Sequence, residues 1–475
     1  MNELNRLYTQ LFQRARSIRT IVQKLHELRY PSDNPLLLAN LIAGLAEAVE
    51  EETLAHYKET PVSPEDLKTL LRLAIVNLER LGSDLRFVSR ATTHNTPWSL
   101  ICPVEGIGQQ LHPGSIFIVR PQWHYNYSVR ERLNYYRKSF SNLLPKDSLD
   151  KALRVGPKIE RLYVTGLPYI DRLTVLMHVL LGHELGHPIE KAYFDQEQTK
   201  DFLPALETEV LKELRFPSDR TKLDLLQMTA FMQMLDRIRE LRRRALAELI
   251  CDLVCVNLFG LGGLFATEQL GQNRGLDNFK TQPTGEHYPP WRYRIRTMST
   301  ELPEDWLERF LEEGCFDETV RAAVQAKART ISSLTGEESD KKALAKVAET
   351  RIAYQSVESA IPTARSLVKR VLRKHGFNLD DLVGATNADL LERLENWIPP
   401  DVYMDKGNEV SASFRAVLNV GWVRWVCAYE AIAVEGGTKE NAEKYLARVD
   451  ALNRMVLKAL EYIDIRAARA KNTPR

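Results

Sequence analysis

Cysteine is scarce in this chain. There are five in 475 residues, Cys102, Cys251, Cys255, Cys315 and Cys427, and no CxxC pair. An odd number without a CxxC in a long chain speaks against a disulfide framework and points to a reducing, cytoplasmic setting. Charge of one sign is also lacking: 65 Lys and Arg face 63 Asp and Glu, for a net charge of +2. That balance gives no hint of nucleic-acid binding or of an acidic partner, so no nucleic-acid partner is expected. P-loop, dinucleotide and GxSxG signatures are absent. The opening MNELNRLYTQLFQRARSIR has no apolar core, so no secretory leader is expected. Only one long apolar run occurs, LICDLVCVNLFGLGGLF at 249–265. It contains Asp252 and directly follows Glu248, so it reads as a core helix with its exit loop and not as a membrane span.

What is present is mostly helical periodicity. Residues 1–82 predict three amphipathic helices separated by PSDNP and PVSPED. RFVSRA, WSLICPV, SIFIVRP and IERLYVTG are short and β-branched or aromatic, and they predict strands, with a helix over 128–144. A further helix is expected from about Asp171. Residues 203–260 and 303–475 again predict helices. The expected fold class is α+β, predominantly helical, with a 1–85 helical segment, an 86–302 core and a 303–475 helical domain.

The chemistry gathers in LMHVLLGHELGHPIE, residues 176–190. On a helix, His183 and His187 project from one face one turn apart, close enough to chelate one metal. Glu184 beside them could take a proton from a water on that metal. Pro188 has no N–H for the Glu184 carbonyl, so the helix should end or kink at the second histidine. The longer pattern HExxHxxGxxH fails, because Glu190 stands for its Gly and Tyr193 for its third His.

A third ligand must therefore come from elsewhere. In ALAELICDLVCV, Glu248 and Asp252 are i and i+4 on an otherwise apolar helix, where unpaired carboxylates would be costly. Glu248 as a ligand, with Asp252 accepting the second ring N–H of a ligand histidine, resolves that cost. Pairing with Arg242, Arg243 or Arg244, or a place at a solvated edge, is the alternative. His178 is off the metal face and reads as a packed histidine. Cys251 and Cys255 read as small helix residues.

HELGH followed by a helix with ExxxD resembles the gluzincin metallopeptidases. The spacing, and PPxxxRI matched by Pro289, Pro290, Arg294 and Ile295, is similar to the HtpX-type and CAAX-prenyl-protease-type group. The resemblance covers residues 158–300. It implies a gluzincin-like core with a small sheet, one Zn2+ per chain held by His183, His187 and Glu248, Glu184 as general base, and Asp252 behind a ligand histidine. No flanking membrane helices of the HtpX kind are visible, so the resemblance is to a soluble relative acting on a peptide or protein substrate.

An oxyanion donor is expected among His287, Tyr288, Arg292 and Arg294, with His287 favoured. A substrate strand could add to the edge of IERLYVTGLPYI or SIFIVRP. The basic runs RIRELRRR and WRYRIR read as solvated faces or salt bridges. The C-terminal helical region could meet a protein partner. Two other readings stay open. One is a helical interaction or regulatory protein with a closed, structural metal site that recruits His178, Cys251 or Asp252. The other is a zinc hydrolase of non-peptide amides.

Overall fold

The computed structural model describes residues 3–59, 63–154, 159–197, 199–276, 288–334, 344, 347–433 and 438–472. They are predominantly helical with two small sheets. The chain divides into two compact units, Met1–Leu173 and Thr174–Arg475.

The first unit opens with the three expected helices, α1 (Glu3–Leu25), α2 (Asn34–Glu59) and α3 (Pro64–Arg90). Ser63 caps α3 by accepting from the Asp66 N–H, and Pro64 fills the first turn, where a missing N–H costs nothing. Leu11, Ala15, Ile18, Leu38, Ile42, Leu71 and Leu78 recur at helical spacing and bury one shared core.

Two expected strands are helices instead. RFVSRA completes α3, because Leu81, Leu85 and Val88 continue its buried stripe. WSLICPV opens α4 (Trp98–Leu111), whose Leu100, Ile101, Val104, Ile107 and Leu111 are buried at the same period. Packing of an apolar face outweighs the weak strand preference of β-branched residues. The 85/86 boundary falls inside α3.

SIFIVRP forms β1 (Ser115–Gln122). Part of the expected 128–144 helix is β2 (Ser128–Glu131), which precedes α5 (Leu133–Phe140). α6 (Lys146–Ala152) and β3 (Arg161–Pro168) follow. The sheet order is β1-β3-β2, with β1 and β3 parallel from Ser115↔Arg161 and β2 antiparallel from Ser128↔Gly166. β3 therefore has neighbours on both sides and offers no edge for an added strand, so of the two expected edge strands only β1 stands at an edge of the sheet.

One buried acid in this unit carries a pH prediction. Glu105 on α4 is 4% exposed and accepts from Asn34 Nδ2 at 2.8 Å. Burial outweighs its hydrogen bonds and lifts its carboxyl to about 7. A raised acid binds its proton more tightly in the folded state, so stability is highest below the unfolded value of 4.5 and falls as pH rises through about 7. That window is worth about 3 kcal/mol at full ionisation. Glu105→Gln should match the wild type in thermal unfolding at about pH 5 and unfold several degrees higher at about pH 8. A difference that does not change with pH would refute the assignment.

The second unit is built around α10. The chain enters it through a 3-10 turn (Val175–Leu180), α7 (Leu181–Glu184), α8 (His187–Gln196) and α9 (Thr199–Glu213). α10 spans Leu225–Arg274 and starts from a capping box between Asp224 and Gln227. By length and composition it is apolar enough to cross a membrane, yet its most apolar window lies wholly inside the unit. The expected exit loop at 260–265 is helical. Gly260 breaks the ladder with φ 55 and ψ −129. There Arg415 donates from Nε to the Leu258 carbonyl at 2.6 Å, and Asn419 Oδ1 accepts from the Gly262 N–H at 3.0 Å. These two side chains satisfy backbone groups that the kink frees.

α11 (Trp291–Ser299), α12 (Glu304–Glu313) and α13 (Glu318–Leu334) follow. The helices Ala348–Lys374 and Phe414–Ala433 pack along α10, and Lys439–Asn472 packs on the latter. A hairpin, Val402–Asp405 with Asn408–Ser411, lies among them and turns at Lys406 and Gly407, both with positive φ. The 302/303 boundary lies within this unit.

Candidate metal centre

The histidine segment is less regular than a single helix. It begins at Val175 and not at Asp171, and Trp422 Nε1 donates to the Leu176 carbonyl at 2.9 Å to fix its start. At Pro188 the expected interruption occurs. The Leu185 N–H still reaches the Leu181 carbonyl, but the Gly186 N–H reaches His183 at 2.9 Å, and a new helix starts at His187 with Pro188 in its first turn. Leu185 and Gly186 nevertheless keep right-handed helical φ and ψ, so the two imidazoles stay on one side. Their ring centroids are 5.4 Å apart and the rings are perpendicular.

Close backbone approach sets the depth of this segment. A Cβ at Gly186 would fall 2.7 Å from the Cα of Cys251, and one at Gly182 would fall 2.8 Å from the Phe259 ring and 3.3 Å from the Cα of Cys255. Small residues on both partners therefore allow the crossing. Cys255 also donates to the Val179 carbonyl at 3.4 Å. The two cysteines occupy the small-residue places expected of them.

Each imidazole is held from behind by a carboxylate. His183 Nδ1 meets Asp252 Oδ1 at 2.9 Å, as expected, and His187 Nδ1 meets Glu190 Oε2 at 2.8 Å. Sequence reasoning missed Glu190, which it met only as a misfit to a longer motif; its place three residues after His187 on the same helix was the available signal. His183 Nε2 lies 3.5 Å from Glu248 Oε2, and His187 Nε2 lies 3.8 Å from Glu184 Oε2. Glu184 is 5% exposed. The His187 side chain is the most open of the group at 31%.

Arg294 closes the rear of the cluster. Its Nε and Nη2 donate to the two oxygens of Asp252, each at 2.7 Å, while Nη1 lies 3.3 Å from Glu248 Oε2. A buried guanidinium committed to two carboxylates is not free to receive an oxyanion, which corrects its place among those donors. Neither carboxylate turns to Arg242, Arg243 or Arg244. Arg242 pairs with Glu197 at 2.8 Å, and Arg243 and Arg244 pair with Glu240, so that run is a set of salt bridges. His178 is buried. Tyr288 is exposed, and His287 lies outside the described residues.

Charge is dense here. Burial pulls the His183 imidazolium down, but Asp252 and Glu248 outweigh it and raise its pKa to about 10. His187 is raised too, because Glu190 and Glu184 outweigh burial. Burial lifts Glu184, making it a stronger base than a surface glutamate. Burial would also lift Asp252, but Arg294 and His183 hold it near 2. Glu248 is lowered by His183 and Arg294 against the same opposing burial.

The spacing between His183 and Glu248 suits a zinc ion. Two ligands of one tetrahedral zinc at the usual N and O bond lengths stand about 3.3 Å apart, close to the 3.5 Å between His183 Nε2 and Glu248 Oε2. A dication taken up for two protons would leave the charge of the cluster unchanged. A second grouping also exists, since donor atoms of His183, His187 and Cys251 all lie within 4.8 Å of one another. Cys251, however, sits 3.4 Å from His187 Nδ1, the nitrogen that Glu190 occupies. Burial, then Glu190, Glu248 and Glu184, hold its thiol protonated. Comparison with family models, curated proteins and solved structures finds no match to this chain.

Proposed function

We propose that the chain is a zinc-dependent metalloendopeptidase with a gluzincin-like centre, in which His183, His187 and Glu248 hold the ion and Glu184 is the general base. One observation carries the reading. Both Nδ1 atoms are engaged from behind, by Asp252 and Glu190, which fixes the tautomers and directs both Nε2 atoms forward to where Glu248 and Glu184 lie. When bound, zinc supplies Lewis acidity and makes a water acidic enough to lose a proton near neutral pH.

The protein's own groups do the rest. Glu184 accepts that proton on its carboxylate and passes it to the leaving amine. Asp252 and Glu190 keep the imidazoles oriented. Arg294 keeps Asp252 ionised and stops Glu248 from turning away. The substrate is a peptide or protein, taken up from the open His187 side.

The first test is metal content. Protein purified without chelator is expected to carry about one zinc per chain by elemental analysis, with His183→Ala and Glu248→Ala losing most of it. Zinc retained in Glu248→Ala but lost in Cys251→Ala would favour the closed, structural site of an interaction protein, the reading that the proximity of Cys251 to the histidines supports. Absence of zinc after reconstitution would end the metallopeptidase proposal.

A further inference from the structure

A second cluster, entirely within the first unit, has no part in the metal chemistry. Three arginines surround Phe87, Arg86 from α3, Arg120 from β1 and Arg132 just after β2, and two more, Arg90 from α3 and Arg130 from β2, stand close enough for their charges to act on Arg120. The guanidinium carbons of Arg120 and Arg132 lie 4.5 and 4.6 Å from the Phe87 ring centroid, and that of Arg86 lies 5.9 Å away. Strand register puts Arg120 level with Gly166 and Arg130 level with Val164, so both face the side of the sheet that α3 covers.

The negative charge in the cluster is far smaller. Asp84 is bonded to Arg132 Nη2 at 3.1 Å and to the Tyr136 hydroxyl at 2.9 Å. The Glu131 carboxylate is turned to the Asn134 N–H. Among the described residues, Arg86, Arg90, Arg120 and Arg130 have no carboxylate at ion-pair distance.

Arg120 is the telling member. It is 6% exposed, its Nη1 donates only to the Pro121 carbonyl at 3.2 Å, and its buried Nε has no partner. Buried Nε of Arg132 has none either. Burial, then the charges of Arg90, Arg130, Arg86 and Arg132, drive the pKa of Arg120 down to about 10. A buried guanidinium with idle donors, surrounded by like charge, is costly unless an anion joins it. The cluster also lies toward the carboxyl end of the parallel pair β1 and β3, where ligands of open sheets collect. Beside it stands Trp123, 72% exposed, its ring 4.8 Å from Tyr169 and 5.9 Å from the Arg90 guanidinium.

We propose that Arg120, with Arg86, Arg90 and Arg130, forms a binding site for a phosphate group, carried by inorganic phosphate or by a small phosphorylated molecule. Bidentate guanidinium–phosphate bonds would occupy the idle donors and relieve the repulsion. Trp123 offers a flat surface to an aromatic group attached to that phosphate.

The test uses the full chain freed of metal, so that phosphate cannot be held at the histidines. Inorganic pyrophosphate and adenosine diphosphate are titrated calorimetrically at low salt. The wild type should show one saturable site. The double variant Arg86→Gln/Arg130→Gln, at two exposed positions, should weaken binding by at least about tenfold. In the absence of ligand it should unfold no lower than the wild type, because removing like charge relieves repulsion; a merely structural role for these arginines would lower it. His183→Ala should bind as the wild type does, which separates this site from the metal centre. Tighter binding of the nucleotide that is lost in Trp123→Ala would identify an aromatic phosphate ligand, and equal binding would identify phosphate alone. No saturable binding of either probe, or binding untouched by the double variant, would overturn the proposal.

Discussion

Glu184→Gln protein should bind zinc as the wild type does and hydrolyse peptide bonds about 10²–10⁴-fold more slowly. The substitution keeps the shape of a side chain that is 5% exposed and removes only its capacity to take a proton. Its nearest charged neighbour is His187 Nε2 at 3.8 Å, so the loss of charge leaves the carboxylate grips of Asp252 and Glu190 intact. The measurement pairs elemental analysis with a peptide-library cleavage assay on the wild type. Full activity in the variant would remove Glu184 from the role of base. Loss of zinc together with activity would make it part of the metal's coordination instead.

Arg294→Leu should be the most damaging change behind the histidines. It leaves Asp252, 1% exposed, and Glu248 without their shared cation. Breaking a buried ion pair by deleting one partner costs about 3–5 kcal/mol. Metal affinity should drop by about 10–100-fold, because Asp252 no longer holds the His183 ring as a fixed acceptor. Arg294→Lys should rescue little, since a single ammonium cannot reproduce the two 2.7 Å bonds to Asp252. Denaturant unfolding and a competitive zinc titration read the two effects separately. An Arg294→Leu protein with wild-type stability and zinc affinity would show that the cluster does not depend on this guanidinium.

The residues of the centre were legible because their chemistry conflicts with their surroundings. Two imidazoles and three carboxylates in apolar helices need partners, and spacing pairs them: His183 with His187, Glu248 with Asp252. The hydrogen bond from His183 to Asp252 follows from that logic, and so does the break at Pro188. Glu190, three residues after His187 on the same helix, was within reach of the same spacing argument and was passed over, whereas the full reach of Arg294 was not legible, because it depends on how segments far apart in the chain come to face one another. The strand readings failed where packing overrode local preference, as at RFVSRA and WSLICPV, which are helical. Lys406-Gly407 shows a signal that was present and passed over, a two-residue turn between short alternating segments.

The kink at Gly260 has a consequence for the order in which the chain is made. Its freed backbone groups at Leu258 and Gly262 are satisfied by Arg415 and Asn419, each 157 positions later. The ribosome therefore releases the most apolar stretch of the chain long before the residues that complete it. Until the helix Phe414–Ala433 emerges, α10 has an open bend and an uncovered apolar flank. Contacts this distant form late and slowly. A nascent chain stopped short of residue 414 is thus the form of this protein most in need of a chaperone.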